Sequence, residues 1–281
     1  ITCTSTAKQR PEGGWLWKIS GNGLSHPSYL FGTYHGTYDI LYQYTDSIPE
    51  LHQASNACSQ FAGESETTSK PTPAQVGAAI KLPKDTTYAD LLNKEDFHFL
   101  DSIVRQSLKS PLNKVYIKPN FLALILGEIE KGKKLVDTGY SQSRIDSMKS
   151  QVMDIALEKK AKEKGLTIVG LEGIFDAFVS EKSNLKKEAD ELISDLREDD
   201  EISPLSFVNT LSDVYRTQNM KSLIDFEVKV DSIFRTSPKL TEIGKRIRED
   251  LLKRRNLNWM NKIPELMKAQ PTFIAVGVRR E

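Results

Sequence analysis

The stretch Lys160-Ala-Lys-Glu-Lys-Gly165-Leu-Thr-Ile-Val-Gly-Leu-Glu172 decides the fold class. Its first half closes an amphipathic segment that runs from Ile145 to Lys164. Lysines in the last turns and a glycine just beyond them are the signature of a helix C-terminus. Its second half is a short apolar run of the kind that forms a buried strand. A helix that leads at once into such a strand is an α/β unit. A mixed α/β fold is therefore expected, with a central mixed sheet, flanking helices and a large helical insertion.

Outward from that point, the same alternation recurs. Trp15-Leu-Trp-Lys-Ile19 and Ser28-Tyr-Leu-Phe-Gly-Thr-Tyr34 flank Gly21-Asn-Gly23, which predicts a hairpin. Asp46, Ser47 and Pro49 open a helix to about Asn56. Ala57 to Gly63 reads as a strand that ends at Glu64, and Ser65 to Pro73 as a polar loop. Residues 72–164 read as mostly helical, with Phe97, Leu100, Ile103 and Val104 at helical spacing and Pro119 opening a further helix. Helix is expected again over 183–262, and Pro271-Thr-Phe-Ile-Ala-Val276 is a final strand. Residues 1–12 read as a polar tail and 13–281 as one domain with its helical insertion at about 72–164.

Composition excludes several function classes. The chain has 281 residues, against a usual domain size of about 150. Its net charge of +1 argues against a general polyanion binder, so no nucleic acid is expected as a partner. Cys3 and Cys58 cannot make a disulfide framework, and their spacing is not a zinc pattern. The longest apolar run, Phe121 to Leu126, is far short of the roughly 20 residues that span a bilayer. Ile1 stands where an initiator Met would, so a processed start is expected. No phosphate-binding loop, dinucleotide fingerprint or nucleophile elbow is present.

Four apolar runs end in an ionisable residue: Leu30 to His35, Gln60 to Glu64, Ile168 to Glu172 and Ile274 to Arg280. Each has a glycine one to three residues before that group, where small residues let atoms approach the backbone closely. Open α/β sheets bind ligands outside the carboxyl ends of their strands. Neighbouring strands would bring one imidazole and two carboxylates into one crevice, a donor set for Zn, Mn or Co. Strands also end in polar residues simply because they surface there. Tyr34, Tyr38, Tyr42 and Tyr44 read equally as cleft lining or as loop packing. The basic run Lys245, Arg246, Arg248, Lys253, Arg254 and Arg255 interleaves with Glu242, Glu249 and Asp250, which predicts a solvated helix.

Trp15 to Leu24, followed by Pro27 to His35, resembles the opening of the TraB/PrgY/GumN family, whose animal relatives are the Tiki metalloproteases. The resemblance continues through Gly63-Glu64, Met153-Asp154, Gly165 to Glu172, Arg255-Asn256 with Trp259, and Phe273 to Gly277. It implies a mixed α/β core, two Gly-x-x-His motifs and glutamates around a divalent metal (Mn, Co or Zn). It also implies metal-dependent, peptidase-like hydrolysis of a peptide or small-molecule substrate. Gly32 and His35 match the first motif. Glu64 and Glu172 match the glutamates, with His35 and Glu172 as metal ligands and Glu64 as a metal ligand or the catalytic base. Arg255 matches the arginine of the Arg-Asn motif, a substrate contact or a structural charge, and Tyr34, from the tyrosine cluster, is the other expected substrate contact. An extracytoplasmic place, periplasmic or secreted and lipid-anchored before processing, is the family habit.

The second motif departs from that pattern, because Arg280 stands where its histidine belongs. A guanidinium offers no lone pair to a metal and repels a cation. Three readings stand open. The chain is a non-catalytic member that binds a peptide or small anion; or His35 and the carboxylates hold the metal alone; or Arg280 takes the metal's charge and acts on an anionic ligand.

Overall fold

The structure is a computed structural model. It describes residues 2–5, 14–34, 48–66, 71–137, 139–149, 152–173, 175, 184–197, 211, 213–236 and 238–278. The expected α/β class holds. Among the described residues, six strands form one mixed sheet: β1 (Thr2–Ser5), β2 (Leu16–Ser20), β3 (Ser28–Thr33), β4 (Gln60–Gly63), β5 (Thr167–Gly170) and β6 (Thr272–Gly277), in the order β1-β2-β3-β6-β4-β5. The first three pair antiparallel, and β3, β6, β4 and β5 run parallel.

The predicted hairpin is β2–β3. Gly21, Asn22 and Gly23 all take positive φ, at 83°, 50° and 82°, the conformation that glycine and asparagine tolerate best. The next helix, α1 (Pro49–Asn56), starts at its proline as expected. The following strand starts later than the sequence suggests. Ala57 closes α1 with its N–H on the carbonyls of Gln53 and Ala54, so pairing begins only at Gln60.

The chain divides into two compact units. The first comprises Ile1–Ser69, Asp146–Ile174 and Ser203–Glu281; the second comprises Lys70–Ile145 and Phe175–Ile202. In the second, α2 (Pro73–Ile80) and α3 (Tyr88–Leu91) begin with capping boxes, Thr72 with Gln75 and Thr87 with Asp90. Asn93 caps α4 (Lys94–Leu108) through the Asp96 N–H at 2.9 Å. With α5 (Pro119–Asp137) and α8 (Leu185–Arg197), they enclose a core that includes Tyr88, Leu100, Val104, Leu112, Leu122 and Leu192.

The helix expected over 145–164 is two helices, α6 (Gln142–Lys149) and α7 (Met153–Glu163). Val152 is extended, at φ −56° and ψ 135°, and starts α7 afresh. In the first unit, α1, α7 and α9 (Met220–Phe234) cover one sheet face, packing Leu51, Leu157 and Phe226 with Phe31, Phe61 and Phe273. A helical stretch follows: α10 (Pro238–Arg246), a π-helical segment (Ile247–Lys253) and α11 (Arg254–Ala269). From α11, Trp259 and Met267 pack with Ala62, Ile274 and Val276 in a separate core cluster. Strand neighbours thus alternate between two clusters, Phe61 against Ala62 and Phe273 against Ile274. A parallel sheet buried on both faces requires that. Central β6 is buried along its whole length.

Candidate functional site

The parallel strands end together. In the paired register Gly63 lies opposite Gly170, and beyond the strands the Leu171 and Glu172 N–H groups still donate to Gly63 and Glu64 at 2.9 Å each. That continued pairing carries Glu64 and Glu172 side by side at the carboxyl edge. Gly170 is needed for it: a Cβ there would lie 2.9 Å from the Glu66 nitrogen and 3.0 Å from the Glu172 carbonyl oxygen. The close approach expected at Gly170 is made by the chain's own backbone.

The two carboxylates meet a guanidinium. Arg255 Nη2 donates to Glu64 Oε2 at 2.7 Å, and Nε donates to Glu172 Oε2 at 2.9 Å. Nη2 also contacts Glu172 Oε1. Glu64 Oε1 accepts from the Gly277 N–H at 2.8 Å, which ties in the end of β6. The Trp259 indole N–H donates to Glu172 Oε2 at 3.3 Å, and the guanidinium stacks 5.0 Å over its ring. Lys262 donates to the Leu171 carbonyl at 2.6 Å. The three side chains of the ion cluster are only 10–13% exposed.

Arg255, Trp259 and Lys262 are spaced i, i+4 and i+7, one face of α11. Arg255 is therefore not solvated, unlike the reading of its basic run. Lys253, two residues earlier, does make the expected i,i+4 surface pair with Glu249. Trp259 and Lys262 were not singled out as site residues, although their spacing from Arg255 was the available signal. Burial alone would pull the Arg255 pKa down. The hydrogen bond to Glu172 and the charges of Glu64 and Glu172 outweigh it, and the pKa is raised.

Beside Glu64 opens a cleft of ≈ 200 Å³, lined by Phe61, Gly63, Ser65, Val152, Asp154, Ile155 and Glu158. Asp154 at the start of α7 accepts from the Thr33 hydroxyl at 2.8 Å, which links α7 to the end of β3. Tyr34, the expected substrate contact, is 5% exposed and stacks on Tyr215 with ring centroids 5.3 Å apart. His35, Arg280, Tyr38, Tyr42 and Tyr44 lie outside the described residues.

The structure thus brings together Glu64, Glu172 and Arg255 of the expected set. Among the described residues, no group of three or more His, Cys, Asp or Glu side chains is arranged to hold a metal ion. Each oxygen of Glu64 and Glu172 already accepts a bond or contact from Arg255, Trp259 or Gly277. The described donors therefore do not fit the divalent cation that the resemblance implies. No described helix is long and apolar enough to cross a membrane.

A family model described as the TraB/PrgY/gumN family matches residues 15–280, nearly the whole chain. No curated protein and no solved structure matches it.

Proposed function

The chain belongs to the TraB/PrgY/gumN family, and from that premise we propose that it is a hydrolase-type protein. It takes a peptide or small-molecule substrate at the carboxyl edge of β3, β6, β4 and β5. One observation carries this reading: Glu64, Glu172 and Arg255, from three separate elements, converge at that edge beside an open cleft. Substrates of open α/β sheets bind there. Peptide cleavage is the chemistry implied by the resemblance to the Tiki metalloproteases. Glu64, held by Arg255, lines that cleft together with Asp154 and Glu158, and these carboxyl groups orient polar substrate groups. A divalent cation, if the chain bound one, would supply an ionised water, but Glu64 and Glu172 are engaged by Arg255 and do not fit it. An extracytoplasmic setting belongs to the same proposal.

A second reading, a non-catalytic peptide-binding module, is favoured by one specific observation. Glu64, the expected base, already accepts from the Arg255 guanidinium through Oε2 and from the Gly277 N–H through Oε1, so it is engaged within the protein rather than poised toward a substrate proton.

Incubation with a quenched-fluorescent peptide library separates the two, run with Mn, Co or Zn and with a chelator. Cleavage that drops at least ~10-fold in Glu64→Gln supports the hydrolase. Peptides that raise the melting temperature without being cut support the binding module. If no peptide is cut or bound, the peptide form of both readings is wrong.

A further inference from the structure

We propose that Arg255 is itself the cation of this site: its guanidinium takes the place between Glu64 and Glu172, and the pair admits a divalent ion only when that side chain is removed. The bonding leaves no room for a second cation. A divalent ion needs carboxylate oxygens at about 2.0–2.2 Å. Glu172 offers both its oxygens to Arg255, and Oε2 also accepts from Trp259. Glu64 gives Oε2 to Arg255 and Oε1 to the Gly277 N–H.

Charge leads to the same conclusion. Two carboxylates face one guanidinium, and Lys262 brings a second positive charge to the backbone next to Glu172. A divalent ion would enter a cluster already balanced and would meet Arg255 at contact range. The guanidinium is also held from its other side, by the Trp259 ring at 5.0 Å. A π-helical segment ends at Lys253, two residues before Arg255, and such segments are frequent at functional sites. The inference concerns the carboxylate pair and stands apart from whether the chain hydrolyses anything.

The test is equilibrium dialysis and thermal melting of the full chain with manganese or zinc chloride, in wild type, Glu64→Gln, Arg255→Gln and the double variant. Wild type and Glu64→Gln should bind alike up to about 1 mM, the range of weak carboxylate sites. Arg255→Gln should gain a site at least ~10-fold tighter, lost again in the double variant. Added Mn²⁺ should raise the melting temperature of Arg255→Gln and leave that of wild type unchanged. Ion binding that survives Glu64→Gln lies elsewhere and leaves the pair to Arg255, as proposed. Stoichiometric wild-type binding abolished by Glu64→Gln overturns the proposal, as does an Arg255→Gln chain that folds and gains nothing. If Arg255→Gln does not fold, the comparison of wild type with Glu64→Gln decides alone. No arm measures cleavage, so failure of the hydrolase reading is seen separately.

Discussion

Arg255 shows how one side chain can be both buried and charged. Desolvation opposes its charge, and the Glu64 and Glu172 contacts more than restore it. A cation whose pKa is raised on folding contributes stability at all pH below its ordinary range. That contribution is lost only as pH rises through the raised value, so it is constant across neutral pH. The opposite sign operates at Asp101 in the second unit. Its carboxylate accepts from Arg105 at 2.7 Å and from the Leu112 N–H at 2.7 Å, and these bonds hold its pKa below the ordinary value. Stability from a depressed carboxylate is present above its unfolded pKa and disappears as pH falls through the folded one. Asp101→Asn should therefore be less stable than wild type at pH 7, with the gap closing below about pH 4. Urea denaturation at pH 7 and in the acid range checks this; an equal gap at both would refute it. Cys58 is a quieter case, since burial pushes its thiol up to about 12 and keeps it unreactive.

At the scale of the element, the ends of β4 and β5 matter more than their middles. Gly170 sits where an added methyl would strike backbone atoms on two sides. Gly170→Ala should cost about 1–3 kcal/mol and displace Glu172 from Arg255. A chemical denaturation curve reads the first effect and the Trp259 fluorescence maximum the second; an unchanged midpoint would refute the strain account. These strand ends were legible in the sequence. A glycine one or two residues before a glutamate at the end of an apolar run placed Glu64 and Glu172 at the carboxyl edge, because strand polarity and buried runs are local properties. What lay between them was not legible. Arg255 sits in a run of charges that reads locally as a solvated helix, and only the arrival of α11 against the sheet buries it. The break at Val152 was also hidden, since the apolar spacing continues across it. The expected ligand His35 falls outside the described residues, so the resemblance and the described geometry meet only at the glutamates and Arg255.

At the scale of the molecule, the two units each have their own core. Leu100 is fully buried in the second and Phe273 is 1% exposed in the first. Leu100→Ala should cost about 2–5 kcal/mol. Amide hydrogen exchange should show the lost protection in α4, α5 and α8, with β4 and β6 near wild type. An equal loss in β6 would mean that the two cores unfold as one. The sheet order carries a last consequence, for biogenesis. β6 lies between β3 and β4 and pairs with both, yet it is synthesised after every other strand of the sheet. A nascent chain therefore holds two half-sheets whose facing edges are unpaired, the condition in which strands capture foreign partners. The carboxyl edge cannot exist on the ribosome before β6 emerges, because the Gly277 N–H that anchors Glu64 arrives with it. Completion of the site therefore waits on a long-range pairing, and its speed is set by the search for that slot.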